Sequence, residues 1–315
     1  MTADAWTVPF NIPVRILHAR VDLTDDARTS PDGALLTLQV WTRLQSSLLR
    51  LGCSQHCVTD HAFEHGAQCH SGESCPVFWL YKPRSAEQKR HHPSPIALRA
   101  VATPNNSIAL RITCFGRHAV ASLPLLQRAL SETVTDVESS DSMATHLPPR
   151  FEGDNSGQLH EFTSPPTRLE FLTLSFNTPC QLTALDLAAV TGQAAHDMAQ
   201  WALHDSGDAK SLGKLGCDAA AEQVRHRAAA AIRALQIDIS DTSFTRLAMR
   251  RSRSNDGQFP LEGFLARLQL RGPLHDAYPW LALLALRGAA RHKSLGMGQI
   301  ALDGPHIGAH LRDAT

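Results

Sequence analysis

The order of strand-like and helix-like segments in this sequence predicts an α+β fold made of two βαββαβ, ferredoxin-like units in tandem. Two observations carry this prediction. Residues 14–23 alternate between apolar and polar side chains, as a half-buried strand does, and residues 34–51 have leucines at helical spacing up to Gly52. A similar order of strands and helices then returns in the second half of the chain, where extra helical segments predict an insertion over residues 183–236.

Further segments complete the predicted order within each unit. Strands are expected at residues 77–81, 96–101, 107–115, 168–176, 244–249, 264–270 and 299–302, and helices at 123–130, 182–203, 218–235 and 278–286. Residues 136–158 are polar, acidic and rich in serine and proline, which is typical of a linker or long loop. The sequence therefore predicts an N-terminal unit over 1–135, a linker over 136–160 and a C-terminal unit over 161–315, with a flexible break at 207–216.

The composition is that of a globular protein with an apolar core, since 43% of the residues are hydrophobic and 19% are charged. No apolar run reaches the length of a membrane span, and residues 1–10 lack the pattern of a signal peptide, so we expect a cytoplasmic protein without a membrane partner. The formal net charge is zero, but residues 219–315 carry 13 Lys/Arg against 8 Asp/Glu. This uneven distribution permits a basic, nucleic-acid-binding groove.

Two basic segments near the C-terminus are candidates for phosphate binding. The first contains four guanidiniums within eight residues, at Arg246, Arg250, Arg251 and Arg253. Such arginines either bind phosphates and stack on bases, or protect an exposed edge strand. The second is a glycine-bearing loop over 288–298, with Arg291, His292, Lys293, Gly296 and Gly298. Its glycines either let backbone N–H groups approach a phosphate or make a tight turn before the last strand.

These segments resemble the C-terminal half of the CRISPR repeat-processing endoribonucleases, which belong to the RAMP superfamily. In that family an Arg/Ser-rich strand leads to a PLxGF turn, and a later helix leads to a glycine-rich loop of the form hxGKxxxxGxG. Here PLEGF occupies 260–264 and KSLGMG occupies 293–298, although His292 stands where a glycine normally precedes the lysine and the loop is shorter. In addition, ITCFGR at 112–117 resembles the family's LTLFGRA strand end, and 168–182 resembles the strand and TP turn that open the second, RRM-like unit.

The resemblance implies a nuclease that needs neither metal nor cofactor. Such a protein binds the repeat hairpin of precursor CRISPR RNA (crRNA), and the ribose 2′-OH attacks the scissile phosphate to leave a 2′,3′-cyclic phosphate. A retained product would make the protein a subunit of a CRISPR ribonucleoprotein complex. Relatives often place a His or Tyr in or just before the first helix, and residues 19–55 contain neither. This departure and the helical insertion favour the type IV branch.

Two other functions remain open, and the same departure supports a non-catalytic role in holding RNA. The chain is either a nuclease, a non-catalytic RAMP subunit that holds crRNA, or a scaffold protein that does not recognise the hairpin. A general metabolic enzyme is disfavoured, because the sequence lacks a nucleotide loop, a nucleophile elbow and an HExxH motif.

Arginines near the first helix are the candidates for catalysis. We expect Arg28 and Arg43 to flank the scissile phosphate and stabilise the transition state, with His18 as the nearby base and Arg20 as a further RNA contact. His18 could instead be a packed or surface residue of the first strand. Arg225 and Arg233, on the alanine-rich helix, either grip an RNA groove or belong to a solvated helix face.

Four of the seven cysteines cluster between residues 53 and 75. Cys53, Cys57, Cys69 and Cys75 lie among four histidines, His56, His61, His65 and His70. Zinc requires four such ligands on short loops, but the spacing is irregular and contains no CxxC pair. The cluster is therefore interpreted as reduced thiols in a histidine-rich loop, with a structural zinc site as the alternative.

Overall fold

The structure is a computed structural model. It describes residues 11–22, nine positions within 37–52, 95–135 without 104 and 106, 149–180, 186–250, 258–289 and 298–311, with the side chains of 102, 133–135, 179, 245–250, 258–262 and 309 excluded. The predicted strand at 77–81 lies outside these residues.

The first unit is built on a four-stranded antiparallel sheet with the order β2-β3-β1-β4. The strands are β1 (Pro13–Asp22), β2 (Ile96–Thr103), β3 (Ser107–Phe115) and β4 (Arg150–Gln158). The described residues between 37 and 52 are helical and lie between β1 and β2, and we call this segment the first helix. Helices α1 (Arg117–Ala121) and α2 (Leu123–Thr135) lie between β3 and β4. This is the connectivity of a βαββαβ unit.

The second unit repeats this strand order as β6-β7-β5-β8. After the short helix α3 (Leu159–Thr163), the elements are β5 (Leu172–Cys180), α4 (Leu187–Ser206), α5 (Asp208–Arg233), β6 (Gln236–Arg250), β7 (Gln258–Arg271), α6 (Leu274–Arg287), β8 (Ile300–Asp303) and a 3₁₀ turn (Ala309–Leu311). The predicted tandem ferredoxin-like fold is confirmed, and α4 and α5 occupy the position of the predicted helical insertion.

The two units share part of one apolar core. On β1, Leu17 and Ala19 pack against the helices of the first unit, whereas Val14 and Ile16 point to the opposite face, as the two-residue period of a strand requires. That opposite face packs into the core of the second unit together with Phe115. The helix-free face of the first sheet is thus covered, in part, by the second unit.

Strand β4 corrects the predicted linker. Residues 150–158 pair antiparallel with β1 and form an edge of the first sheet. The segment RFEGDNSGQ has no apolar alternation because nearly all of its side chains are exposed or half-buried, so it lacks the pattern that marks a strand with one buried face. Of the predicted linker, residues 136–148 lie outside the described part of the chain.

Two glycine-bearing segments test local predictions. The predicted break at 207–216 corresponds to Gly207, at φ 87°, where α4 ends, and to a kink at Gly213, at φ 63°, which separates two helical stretches of α5. The predicted turn at 260–264 lies inside β7, where Gly263 pairs with Thr245. A Cβ at Gly263 would lie 2.6 Å from the Cys180 carbonyl carbon, so the glycine allows a close approach of β7 to β5.

Several strand boundaries also differ from the sequence prediction. Strand β5 begins at Leu172 rather than 168 and includes the TP segment, and β6 begins at Gln236 rather than 244. None of the described helices is both long enough and apolar enough to cross a bilayer.

Candidate nucleic-acid interface

A row of basic side chains crosses the helix-free face of the first sheet. Arg99 of β2 is directly opposite Arg111 of β3, and Arg111 is directly opposite His18 of β1. Arg99 is 6% exposed, and Arg111 and His18 are half-buried. The neighbouring positions on each strand point to the apolar core on the other face. The strand register therefore assembles three residues that are far apart in the sequence.

The second unit holds this row in place through Arg111. Its Nη2 donates to the carbonyl oxygen of Ala285 at 3.0 Å, and its Nη1 donates to the carbonyl oxygen of His310. Ala285 belongs to the last turn of α6, where free carbonyls carry partial negative charge and favour a cation. Arg111 thus joins β3 to the C-terminal ends of two elements of the second unit.

A cavity lies where the row meets the second unit. Its lining includes Arg99, Arg111, Arg287, Gly288 and Gln299, and among the described residues that line it there is no carboxylate. The positive charge of Arg287 is compensated by a carboxylate that does not line the cavity, because its Nη2 lies 2.6 Å from Asp197 Oδ2. Burial lowers the pKa of Arg99 to about 10 and that of Arg111 to about 9, the latter also through the Arg99 charge. Both guanidiniums remain cationic at neutral pH, so the cavity has a positive potential.

His18 has the protonation state that a general base requires. Burial lowers its pKa, and the nearby Arg111 and His310 lower it further, whereas Glu152 opposes them. The imidazole is therefore neutral at pH 7 and able to accept a proton.

Arg20 lies two residues further along the same face of β1. Its Nε is 3.1 Å from Glu152 Oε1 on β4, and both side chains are exposed. A second pair, Arg150 and Asp22, joins the same two strands at 3.4 Å. Exposed pairs of this kind contribute little to stability. An anionic ligand would therefore compete with Glu152 for Arg20.

The base of the glycine-bearing loop adjoins the cavity. The Ala289 N–H donates to the Gly298 carbonyl oxygen at 2.7 Å, which closes the loop at its base. Gly298 has φ 66°, and a Cβ there would lie 2.1 Å from the Ala289 oxygen, so only glycine fits. Arg291, His292, Lys293 and Gly296, the other predicted phosphate-binding residues of this loop, lie outside the described residues.

The remaining predicted residues are distributed as follows. Arg28, Arg43, Arg251 and Arg253, and the cluster of Cys53, Cys57, Cys69 and Cys75, fall outside the part of the chain that the structure describes. Arg246 and Arg250 belong to β6, without described side chains. Among the described residues, no group of His, Cys, Asp or Glu could hold a metal ion. Burial raises the pKa of Cys114 and Cys180 to about 12, so these thiols are unreactive.

Arg225 and Arg233 both belong to α5, which packs against α4. Arg225 is half-buried and lies 3.3 Å from Glu222, so its charge is partly compensated, whereas Arg233 is exposed in the last turn. A Cβ at Gly192 of α4 would be 3.1 Å from the Arg225 carbonyl oxygen, which shows how closely the two helices approach.

The FGR segment at 115–117 joins the two units. Trp201 Nε1 of α4 donates to the Phe115 carbonyl oxygen at 2.8 Å, and the Arg117 N–H donates to Asp205 Oδ2 at 2.9 Å. Gly116, at φ 88°, packs so closely that an added Cβ would lie 2.6 Å from Trp201 Nε1. This segment therefore has a structural role in holding α4 against the first sheet.

Arg99 and Arg111 are absent from the residues predicted from the sequence. Their signal is a single arginine inside each of two apolar runs, IALRAVAT and SIALRITCF. The alternation places each arginine on the face away from the first unit's helices. That the two arginines and His18 meet in one row depends on the strand register, which a single sequence does not contain.

No protein-family model matches the sequence, and no curated protein matches it. Among solved structures, a Thermus thermophilus Cas6 aligns over 93% of this chain and 99% of its own, with 16% identity and a TM-score of 0.46. An RAMP protein that binds different RNA substrates aligns over 92% and 100%, with 11% identity and a TM-score of 0.45. A Cas6-related protein from Pyrococcus furiosus aligns over 94% and 100%, with 9% identity and a TM-score of 0.40.

Proposed function

We propose that this chain binds the repeat hairpin of precursor crRNA between its two units and cleaves it without a metal ion. The observation that carries the proposal is the basic row of Arg99, Arg111 and His18 beside the base of the glycine-bearing loop. The resemblance of the segments at 246–298 to the repeat-processing endoribonucleases supports the same substrate. A positive cavity next to a loop whose backbone allows close approach suits a polyanion.

In the proposed reaction, the 2′-oxygen forms a bond to phosphorus while the bond from phosphorus to the 5′-oxygen breaks. His18, neutral at pH 7, takes the proton of the 2′-OH, and the leaving 5′-oxygen takes a proton from water. The protonated His18 then returns its proton to the solvent, so that no net proton is consumed. Arg28 and Arg43 flank the phosphate and stabilise the charge that develops on it. The products are a 2′,3′-cyclic phosphate and a 5′-OH.

Other basic residues are proposed to hold the RNA. Around the hairpin these are Arg20, Arg225, Arg233, Arg246, Arg250, Arg251, Arg253, Arg291, His292 and Lys293, with Gly296 and Gly298 shaping the loop. We propose further that the crRNA product stays bound, that the protein joins other subunits of a cytoplasmic CRISPR complex, and that it belongs to the type IV branch.

The alternative is a non-catalytic RAMP subunit that holds crRNA. The lack of any His or Tyr between residues 19 and 55 favours this reading, because it leaves His18 as the nearest candidate base.

Incubation of the pure protein with its repeat hairpin in EDTA, followed by a denaturing gel, separates these functions. A single cut supports the nuclease, and tight binding without a cut supports the guide-holding subunit. If the protein neither binds nor cuts the hairpin, both functions are contradicted. If the protein is a nuclease, Arg28→Ala and Arg43→Ala are each expected to slow cleavage by about tenfold or more relative to wild type. Unchanged cleavage in these variants would exclude the proposed role of the two arginines.

A further inference from the structure

A buried polar link joins the two units beside the candidate interface. Gln299 Nε2 donates to Thr37 Oγ1 at 2.6 Å, across 262 residues of sequence. Thr37 is fully buried, and Gln299 is 7% exposed. Thr37 belongs to the helical residues of the first unit, and Gln299 directly precedes β8 of the second.

The Thr37 hydroxyl has its full complement of hydrogen bonds. Besides the bond from Gln299, its oxygen accepts from the Ala100 N–H at 3.0 Å, and its O–H donates to the Ala100 carbonyl oxygen at 3.4 Å. A hydroxyl has one donor and two acceptor sites, and all three are used here. Serine could reproduce this pattern, whereas valine, which has the same shape as threonine, could not.

Gln299 is fixed equally firmly on its own side. Its N–H donates to Thr178 Oγ1 at 2.8 Å, and its carbonyl oxygen accepts from the Asn177 N–H at 2.9 Å. Its neighbour Gly298 closes the glycine-bearing loop against Ala289. The backbone of Gln299 is therefore held firmly beside the base of the loop, and its side chain extends from this fixed position to Thr37.

Thr37 is coupled to the rest of the first helix. It occupies the same helical stripe as Trp41, Leu44 and Leu48, which are buried in the core of the first unit. A displacement of Thr37 would therefore displace this packed stripe. Arg43, a proposed phosphate-contacting residue, follows Thr37 by six positions in the sequence.

Stability alone does not require a polar link here. Replacing both partners of a buried hydrogen bond by apolar groups of the same shape is often nearly neutral, whereas leaving one partner unsatisfied is costly. A buried hydrogen-bonded pair with defined geometry does, however, distinguish one relative position of two elements from others.

We propose that Gln299 and Thr37 are positioning residues, which hold the first helix in register with Ala289 and Gly298 at the base of the glycine-bearing loop, so that RNA bound between the two units is aligned for cleavage. This inference rests on the proposed function. It assigns neither residue a contact with RNA.

The kinetic test uses Gln299→Leu, Thr37→Val and the double variant, with Thr37→Ser as the conservative rescue. Gln223→Leu is the matched control, because Gln223 is an exposed glutamine on α5. The hairpin Kd is expected to stay within about threefold of wild type, while the single-turnover cleavage rate at saturating protein falls by roughly tenfold or more, since small misplacements of reacting groups slow cleavage strongly. Thr37→Ser should cleave like wild type, and the double variant no more slowly than the slower single variant.

An unchanged cleavage rate in Gln299→Leu, or additive losses in the double variant, would overturn the inference. A merely structural role would lower binding and cleavage together and would not be rescued selectively by serine.

Amide hydrogen exchange on the RNA-free protein tests the link without activity. In Gln299→Leu, peptides covering 37–52 and 96–103 should exchange faster than in wild type, and Gln223→Leu should leave both unchanged. Unaltered exchange in Gln299→Leu overturns the link itself. If this exchange response is present but wild-type protein neither binds nor cleaves the hairpin, the proposed function fails while the link between the units stands.

Discussion

At the scale of single residues, the fold lowers the pKa of His18, the candidate general base. Its pKa is lowered by burial and by the positive charge of Arg111. A base must be unprotonated, so the cleavage rate should rise as the pH increases through the lowered pKa of His18 and then stay level through neutral pH. A pH–rate profile under single-turnover conditions measures this. An inflection above pH 7 that persists in His18→Gln would rule out His18 as the base.

Arg99 is expected to contribute electrostatically to RNA binding. Arg99→Gln removes one buried positive charge from the cavity while keeping a polar side chain of similar length. The hairpin Kd should rise about threefold to tenfold, and the slope of log Kd against log salt concentration should decrease by about one. Filter binding at several salt concentrations, from about 50 to about 300 mM, measures both quantities.

Arg128→Gln is the matched control for that experiment. Arg128 is an exposed residue of α2 that pairs with Glu132 four positions later. If both variants change the slope equally, the effect reflects net charge rather than the cavity.

The residue scale also shows why the sequence revealed only part of the candidate site. The sequence nominates His18 because residues 19–55 contain no His or Tyr, and it nominates the glycine-bearing loop through the spacing of its lysine and glycines. Arg111 and Arg99 were missed because their meaning depends on which strands are neighbours. Thr37 and Gln299 are unremarkable in the sequence, and a contact across 262 residues leaves no local signal.

At the scale of elements, the closed base of the glycine-bearing loop gives a direct prediction. Gly298→Ala places a Cβ against the Ala289 carbonyl oxygen and a side chain at positive φ. The strained backbone should lower the free energy of unfolding by about 1–3 kcal/mol, and the displaced loop should weaken hairpin binding. Chemical denaturation and filter binding measure the two effects.

A matched substitution is available at another glycine with positive φ. Gly207→Ala carries similar backbone strain, but no atom lies within 4 Å of its added Cβ. Gly207→Ala should therefore lower stability without weakening hairpin binding. Equal loss of binding in both variants would show that the loop base has no special part in RNA recognition.

Elements with one buried face were predictable, and exposed edge strands were not. Strands β1 and β3 agree closely with the predicted segments because one face of each meets the helices of the first unit. Strand β4 is an edge strand without apolar alternation, because its side chains are exposed or half-buried. The first part of β6 also lies at an edge, and there the alternating Ile237 and Ile239 are exposed rather than packed in a core. Their positions follow from pairing with β1 and β7, which is a tertiary property.

At the scale of the whole molecule, the two units share an apolar core and are joined by hydrogen bonds from Arg111, Trp201 and Gln299, which we call the seam. We therefore expect them to unfold as one body. Trp201→Phe removes the donor to the Phe115 carbonyl oxygen while keeping an aromatic ring. Unfolding should remain a single transition, with stability lower by about 1–3 kcal/mol because a buried carbonyl loses its partner. Calorimetry that resolves two separate transitions in the wild-type protein would contradict the shared core.

The seam also determines where the proposed chemistry takes place. Arg111 reaches from the first sheet to α6 and the 3₁₀ turn, and Gln299 reaches from the base of the loop to the first helix. The first unit alone would lack the carbonyl oxygens that hold Arg111, and the second unit alone would lack the basic row itself. The tandem arrangement is thus the feature that brings the candidate base, the cationic cavity and the glycine-bearing loop together.

The most direct test of the central claim is the chemistry of the RNA product. The wild-type protein is incubated in EDTA with an all-ribose repeat hairpin and with the same hairpin carrying a single 2′-deoxyribose at the cleaved position, and the 5′ fragments are weighed by mass spectrometry. We expect one cut in the all-ribose hairpin, with a 2′,3′-cyclic phosphate on its fragment, and an intact deoxy-substituted hairpin. Cleavage of both hairpins, or cleavage that requires added metal, would contradict the proposed mechanism.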